Sequence, residues 1–179
     1  FHEVLGVFEV VLRNALCEQL RHWHGKRTGT WLDDPTSTFD ARRIEQIKAA
    51  CQALSQKGKP LTEGHIVAEL SFGFWRFLLS KRYQNTLWAP HLRKAFPGMR
   101  TQRREVVYKH VEALLTLRNR IPHHEPIHRF PLAGLHAAML LVTSWIDPGM
   151  SNWLTDLSRV PSVLAVKPQS GSGSGGRSS

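Results

Sequence analysis

The stretch RNRIPHHEPIH, residues 118–128, holds two overlapping patterns, each with its own chemistry. His124-Glu125-Pro126-Ile127-His128 fits H-E-x-x-H. In that pattern a helix presents two histidines, one turn apart, to a zinc ion, and the glutamate acts as general base. Arg118 and His123 fit R-x-x-x-x-H, a pairing suited to RNA cleavage without a metal. Proline decides between the two. Pro126 stands between the histidines and Pro122 stands just ahead of them. A proline inside a helix removes a donor and clashes with the carbonyl four residues back. It also pushes the residue before it toward extended backbone. IPHHEPIHRFP is therefore expected to be a long irregular loop, in which the two histidines lose the spacing that zinc needs. No third ligand is evident, and Cys17 and Cys51 lie far apart with no C-x-x-C motif. No metal and no cofactor are expected.

The R-x-x-x-x-H reading survives the prolines, because it needs only Arg118 at a helix end and His123 just past it, both facing one cleft. In metal-free RNA cleavage the 2′-hydroxyl attacks the adjacent phosphorus. A base takes the hydroxyl proton and an acid protonates the leaving 5′-oxygen. Imidazole is the side chain whose ordinary pKa suits both tasks, which points to His123. A fixed guanidinium, Arg118, stabilises the charge that grows on the phosphoryl oxygens. Asn119 can orient the imidazole or a phosphate oxygen. Glu125 could accept a hydrogen bond from His123 or His124, of which one is expected to be a plain loop residue. His128 is expected at the surface.

Helical periodicity shows what must position these groups. Residues 1 to about 23 read as a helix with Leu5, Phe8, Leu12, Ala15, Leu16 and Leu20 inward. A loop follows, and Ser37 or Thr38 is expected to cap a second helix to about residue 56, with Ile44, Ile47, Cys51 and Leu54 inward. Thr62 caps a third helix to about residue 80, in which Gly73 suggests close packing or a break. LWAPHLRKAFPG is a short irregular segment. Thr101 opens a long helix to about residue 119. Pro131 starts another, which Asp147-Pro148 ends, and MSNWLTDL forms a last short helix. No segment alternates with period two for long, so the fold class is all-α, a helical bundle.

Two charges fall on the apolar stripes of these helices. Val107, Val111 and Leu114 form one stripe, and four residues on stands Arg118. Leu5, Leu12 and Leu16 form another, with Glu9 inside it and Arg13 at its edge. A charge on an inward face is costly unless paired, bonded or near water. The two together predict packed helices with a buried Glu9–Arg118 pair beside a polar cleft.

Composition narrows the partner. Lys plus Arg is 24 against 14 for Asp plus Glu in 179 residues, a formal charge of +10. That surplus favours polyanions, nucleic acid first. Arg is grouped at 42–43, 100–104 and 118–120, and Arg suits bidentate phosphate contact. No apolar run approaches the ~20 residues that span a bilayer. Residues 1–11 are too short for a signal peptide and hold Glu3 and Glu9. No membrane partner is expected, and the two lone cysteines read as thiols in a reducing cytoplasm. From Pro161 the order is expected to fade into the Gly/Ser-rich SGSGSGGRSS. The domain division is thus 1–160 and a flexible, disordered C-terminal tail at 161–179.

LRNRIPHHEPI, residues 117–127, resembles the signature of the Abi-like (abortive infection) family of the HEPN superfamily, which carries R-N-R-x-A-H-H-E. EVVLRNAL, FWRFLLS and LWAPHLRKAFP match further pieces in the family's order, over most of residues 1–160. The resemblance implies a HEPN-like helical bundle with a long irregular loop after the motif helix. It implies a metal-independent endoribonuclease, acting in phage defence or as a toxin. It assigns the catalytic roles to Arg118, His123 and Asn119. The family's N-terminal Glu and L-R-N correspond to Glu9, Arg13 and Asn14, and its H-H-E to His123, His124 and Glu125. Members commonly form homodimers that join two motifs in one site, and a protein or RNA antitoxin is a possible partner. Pro122 stands where the family usually has Ala, which would cut the motif helix short.

Two other functions would use the same residues differently. A non-catalytic RNA-binding module would use the basic clusters with aromatic residues such as Trp75 and Trp88. An interaction protein would hold an antitoxin through a helical face.

Overall fold

The computed structural model describes residues 1–25, 29–33, 38–121 and 130–166. Among them are eight α-helices and no strand. They are α1 His2–His24, α2 Ala41–Gln56, α3 Glu63–Glu69, α4 Phe72–Leu78, α5 Arg104–Arg120, α6 Leu132–Ile146, α7 Pro148–Leu157 and α8 Val160–Ala165. Between α4 and α5 run a 3-10 turn, Lys81–Tyr83, a π-helical turn, Gln84–Trp88, and a second 3-10 turn, Leu92–Ala95. The all-α expectation holds.

The bundle is built round α1, which packs on α4, α5, α6, α7 and the Leu92–Ala95 turn. The spacing of its apolar residues explains this central place. Val4, Leu5, Phe8, Leu12, Leu16, Cys17 and Leu20 cover a wide stripe, and all are buried. α5 brings Val107, Val111, Leu114 and Leu117 to the core, and α6 brings Met139 and Val142. The segment before α5 docks on the end of α6 through Gly98, whose N–H donates to the Trp145 carbonyl at 2.9 Å. A β-carbon there would lie 2.9 Å from the Ser144 carbonyl oxygen, so only glycine allows the approach.

Several boundaries differ from the periodic reading, each for a local reason. α2 is capped by Asp40 rather than Ser37 or Thr38, and its carboxylate accepts from the Arg43 N–H at 3.1 Å. The Tyr83 hydroxyl donates to the same carboxylate, and Arg82 stands 3.5 Å from it. α2 is also rotated from the expected face: Arg43, Ile47, Ala50 and Leu54 are its buried residues. The third helix breaks at Ser71, not at Gly73. Thr62 caps α3 as expected, but the Ser71 side chain accepts from the Phe74 N–H and starts α4 anew. α5 begins at Arg104 rather than Thr101, because Gln102 takes a left-handed backbone angle of +33°. α8 carries helix through residue 165, past the expected start of the tail at 161. Of the two thiols, Cys17 is buried and Cys51 half-buried.

Candidate functional site

Glu9 and Arg118 meet. Glu9 lies on α1 between the buried Leu5 and Leu12, and Arg118 lies one turn beyond the buried Leu114 on α5. Arg118 Nε stands 3.6 Å from Glu9 Oε2. That is an ionic contact, too long for a direct hydrogen bond. The pair is not buried, contrary to the expectation. The Arg118 side chain is 46% exposed and that of Glu9 21%. Leu117 in the same last turn is fully buried and Ile121 just beyond it packs on the core, whereas Arg118 faces the open side of α5 toward Glu9. A guanidinium there keeps nearly half of its surface in water.

The pair borders a cleft of about 160 Å³, lined by His2, Leu5, Gly6, Glu9, Arg118 and Ile121. Its floor is the first two turns of α1 and its wall is the end of α5. From the same His2 and Gly6 a shallow apolar groove runs along α1 over Val7, Val10 and Val11 to Met150 and Trp153. Trp153 is 50% exposed and Val10 is also exposed.

The remaining candidate residues lie elsewhere. Arg13 Nε donates to Asn14 Oδ1 at 3.3 Å, one turn further along α1, and neither lines the cleft. Asn119 is exposed on α5 and does not line it either. His123, His124 and Glu125 lie outside the described residues, as do Pro122 and the rest of the H-E-x-x-H stretch. Among the described residues no group of three or more His, Cys, Asp or Glu is placed to hold a metal ion.

The basic and aromatic groups sort differently from the expectation. Trp75 and Trp88 are buried in the core, so neither offers a face to a base. Arg43 is 3% exposed, with its guanidinium 3.8 Å above the Phe77 ring. Burial pulls its pKa below the ordinary guanidinium value. Arg104 donates to Gln84 and to the Leu79 carbonyl, both at 2.7 Å, and so braces the turns before α5. Arg76 Nε stands 2.8 Å from Glu112 Oε2, and its guanidinium donates to the Tyr108 hydroxyl at 3.1 Å. These arginines hold the fold. Arg42 and Arg100 stay exposed on the surface.

A second polar cluster centres on Glu63 at the start of α3. Its Oε1 accepts from Arg21 Nε and from Trp31 Nε1, both at 2.9 Å, with Cys17 Sγ 3.5 Å away. Burial pushes the Cys17 thiol up to about 11, so it is no nucleophile at neutral pH. The cluster pins α1, α3 and the turn at Trp31 together.

The periodic reading missed His2 and Gly6 as cleft residues. A signal was present: His2 precedes Glu9 by seven residues, two helical turns, and so shares its face. Compared with protein-family models, with curated proteins and with solved structures, the chain finds no match.

Proposed function

We propose that the chain is a metal-independent endoribonuclease of the HEPN kind, acting as a toxin or abortive-infection effector in the cytoplasm. The observation that carries the reading is the Glu9–Arg118 pair at the mouth of a cleft, at the end of the helix that leads into the R-x-x-x-x-H segment. The resemblance of LRNRIPHHEPI and EVVLRNAL to the Abi-like pattern supports it further, because the residues of those two pieces supply both members of the pair. Glu9 orients the guanidinium and Arg118 stabilises the charge on the phosphoryl oxygens. His123 carries a proton as acid or base, and Asn119 positions the imidazole or a phosphate oxygen. Attack by the 2′-hydroxyl leaves a 2′,3′-cyclic phosphate and a 5′-hydroxyl. Two chains related by a two-fold axis bring two Arg118–His123 motifs to one site. An RNA or protein antitoxin would restrain it.

The test is incubation of the purified chain with total RNA in the presence of EDTA. Cleavage should persist, should stop when the cut position carries a 2′-deoxyribose, and should fall about 10²–10⁴-fold in His123→Ala. His128→Ala should stay near wild type. Activity abolished by EDTA, restored by zinc and dependent on His128 would instead make H-E-x-x-H the working motif.

A non-catalytic RNA-binding module is the second reading. The observation that favours it is the half-exposed Trp153 on a groove that shares His2 and Gly6 with the Arg118 cleft, which offers a stacking face on the same side of α1. In that case RNA binds with a strong salt dependence and is never cut.

A further inference from the structure

Any cleavage of this kind moves two protons. One leaves the 2′-hydroxyl as its oxygen bonds to phosphorus. Another reaches the 5′-oxygen as its bond to phosphorus breaks. Nothing is oxidised or reduced, and the two transfers balance. Arg118 performs neither, since a guanidinium stays protonated throughout. Glu9 is engaged with Arg118.

The cleft holds one more titratable group. His2 opens α1 and lines the same 160 Å³ space as Glu9 and Arg118. His2 and Glu9 are seven residues apart on a helix, so they share a face, with about 10 Å between them along the axis. Gly6 lies midway. A glycine inside a helix is destabilising against alanine. Here no packing demands it, because a β-carbon at Gly6 would meet nothing within 4 Å. What the missing side chain leaves is an open floor between His2 at one end of the cleft and the Glu9–Arg118 pair at the other. A phosphodiester lying across Gly6 has a fixed cation on one side and an imidazole on the other.

We propose that His2 is a catalytic residue of this cleft, a proton carrier that acts across Gly6 from Arg118. The proposal rests on the ribonuclease reading and deepens it: the site on one chain then contains an imidazole outside the R-x-x-x-x-H segment. Imidazole is suited to the task, since its ordinary pKa lies near neutrality.

The experiment is a pH–rate profile on a short oligoribonucleotide, using the full chain as wild type, His2→Ala, His2→Gln and Arg118→Ala. Wild type should give a bell-shaped profile. Both His2 variants should lose one limb of it and drop in kcat by about 10²–10⁴, with KM little changed. Free imidazole in the buffer should restore part of the rate to His2→Ala but not to Arg118→Ala. A residue that merely supports the fold would show neither the lost limb nor the rescue. The proposal is overturned, with the ribonuclease reading intact, if Arg118→Ala is inactive while His2→Ala keeps its rate within twofold and its bell-shaped profile. It falls together with that reading if wild type cleaves no RNA.

Discussion

The Arg118 guanidinium stands 3.6 Å from the Glu9 carboxylate with nearly half of its side chain in water. An ion pair so placed contributes little to stability, at most about 1 kcal/mol. Arg118→Ala should therefore change the free energy of urea unfolding by no more than that. Its rate of RNA cleavage should nevertheless fall by about 10²–10³, as expected when a donor to developing charge is removed. A loss of activity matched by a loss of stability would point to a structural role. Cys17 is the opposite case, a buried group with a structural signature. Its thiol is pushed up to about 11 from an ordinary value of 9.0, chiefly by burial. The folded state thus favours the neutral thiol. That preference is fully present below pH 9 and is lost as the pH rises through 11. Across that window, up to pH 11, wild type should lose on the order of 2 kcal/mol that Cys17→Ala does not. Unfolding curves of both chains at pH 8, 9.5 and 11 measure the difference.

α1 and the α3–α4 pair show how much single positions decide within helices. Gly6 costs α1 stability without any packing return, so Gly6→Ala should raise the unfolding free energy by roughly 0.5–1 kcal/mol. A thermal melt that shifts downward would mean that the site is tighter than its geometry. The break between α3 and α4 belongs to Ser71, whose side chain accepts from the Phe74 N–H. Ser71→Ala should cost about 1 kcal/mol. Gly73→Ala should not destabilise, since its β-carbon would make only an ordinary 3.6 Å contact with Ser71 Oγ. Urea titrations of the two variants side by side separate a capping break from a glycine break.

The chain carries a formal +10, yet part of its arginine is committed to the fold. Arg43 lies over Phe77, Arg104 braces the turns before α5, and Arg76 pairs with Glu112. On the proposed reading, polyanion contact would therefore fall to the exposed remainder, Arg118 and Arg100 among them. Dimerisation would add a second Arg118 and a second His123 to the same cleft. Light scattering at micromolar concentration should then give twice the chain mass. A strict monomer that still cleaves RNA would refute the dimer and leave His2 to supply the other imidazole.

Much of the secondary structure was legible in the sequence because each signal is local. The apolar period of α1, the Thr62 cap and the Asp147-Pro148 stop each act within a turn or two of the chain, and the elements they predict are present. The same period was enough to set Glu9 and Arg118 on inward stripes, since a 3.6-residue repeat gives a side chain's direction about its own helix axis. It does not say how far along that axis the neighbouring helix reaches. Only the packing decided that Arg118 stands at a half-exposed rim rather than in a buried pair. Only the packing brought His2, at the start of α1, to the end of α5 and its Arg118. It also moved the α2 cap to Asp40, which Tyr83 and Arg82 hold from 40 residues away or more. Burial of Trp75, Trp88 and Arg43 was decided the same way, because a side chain's exposure depends on what lies across from it, and no helix carries that information about its partner.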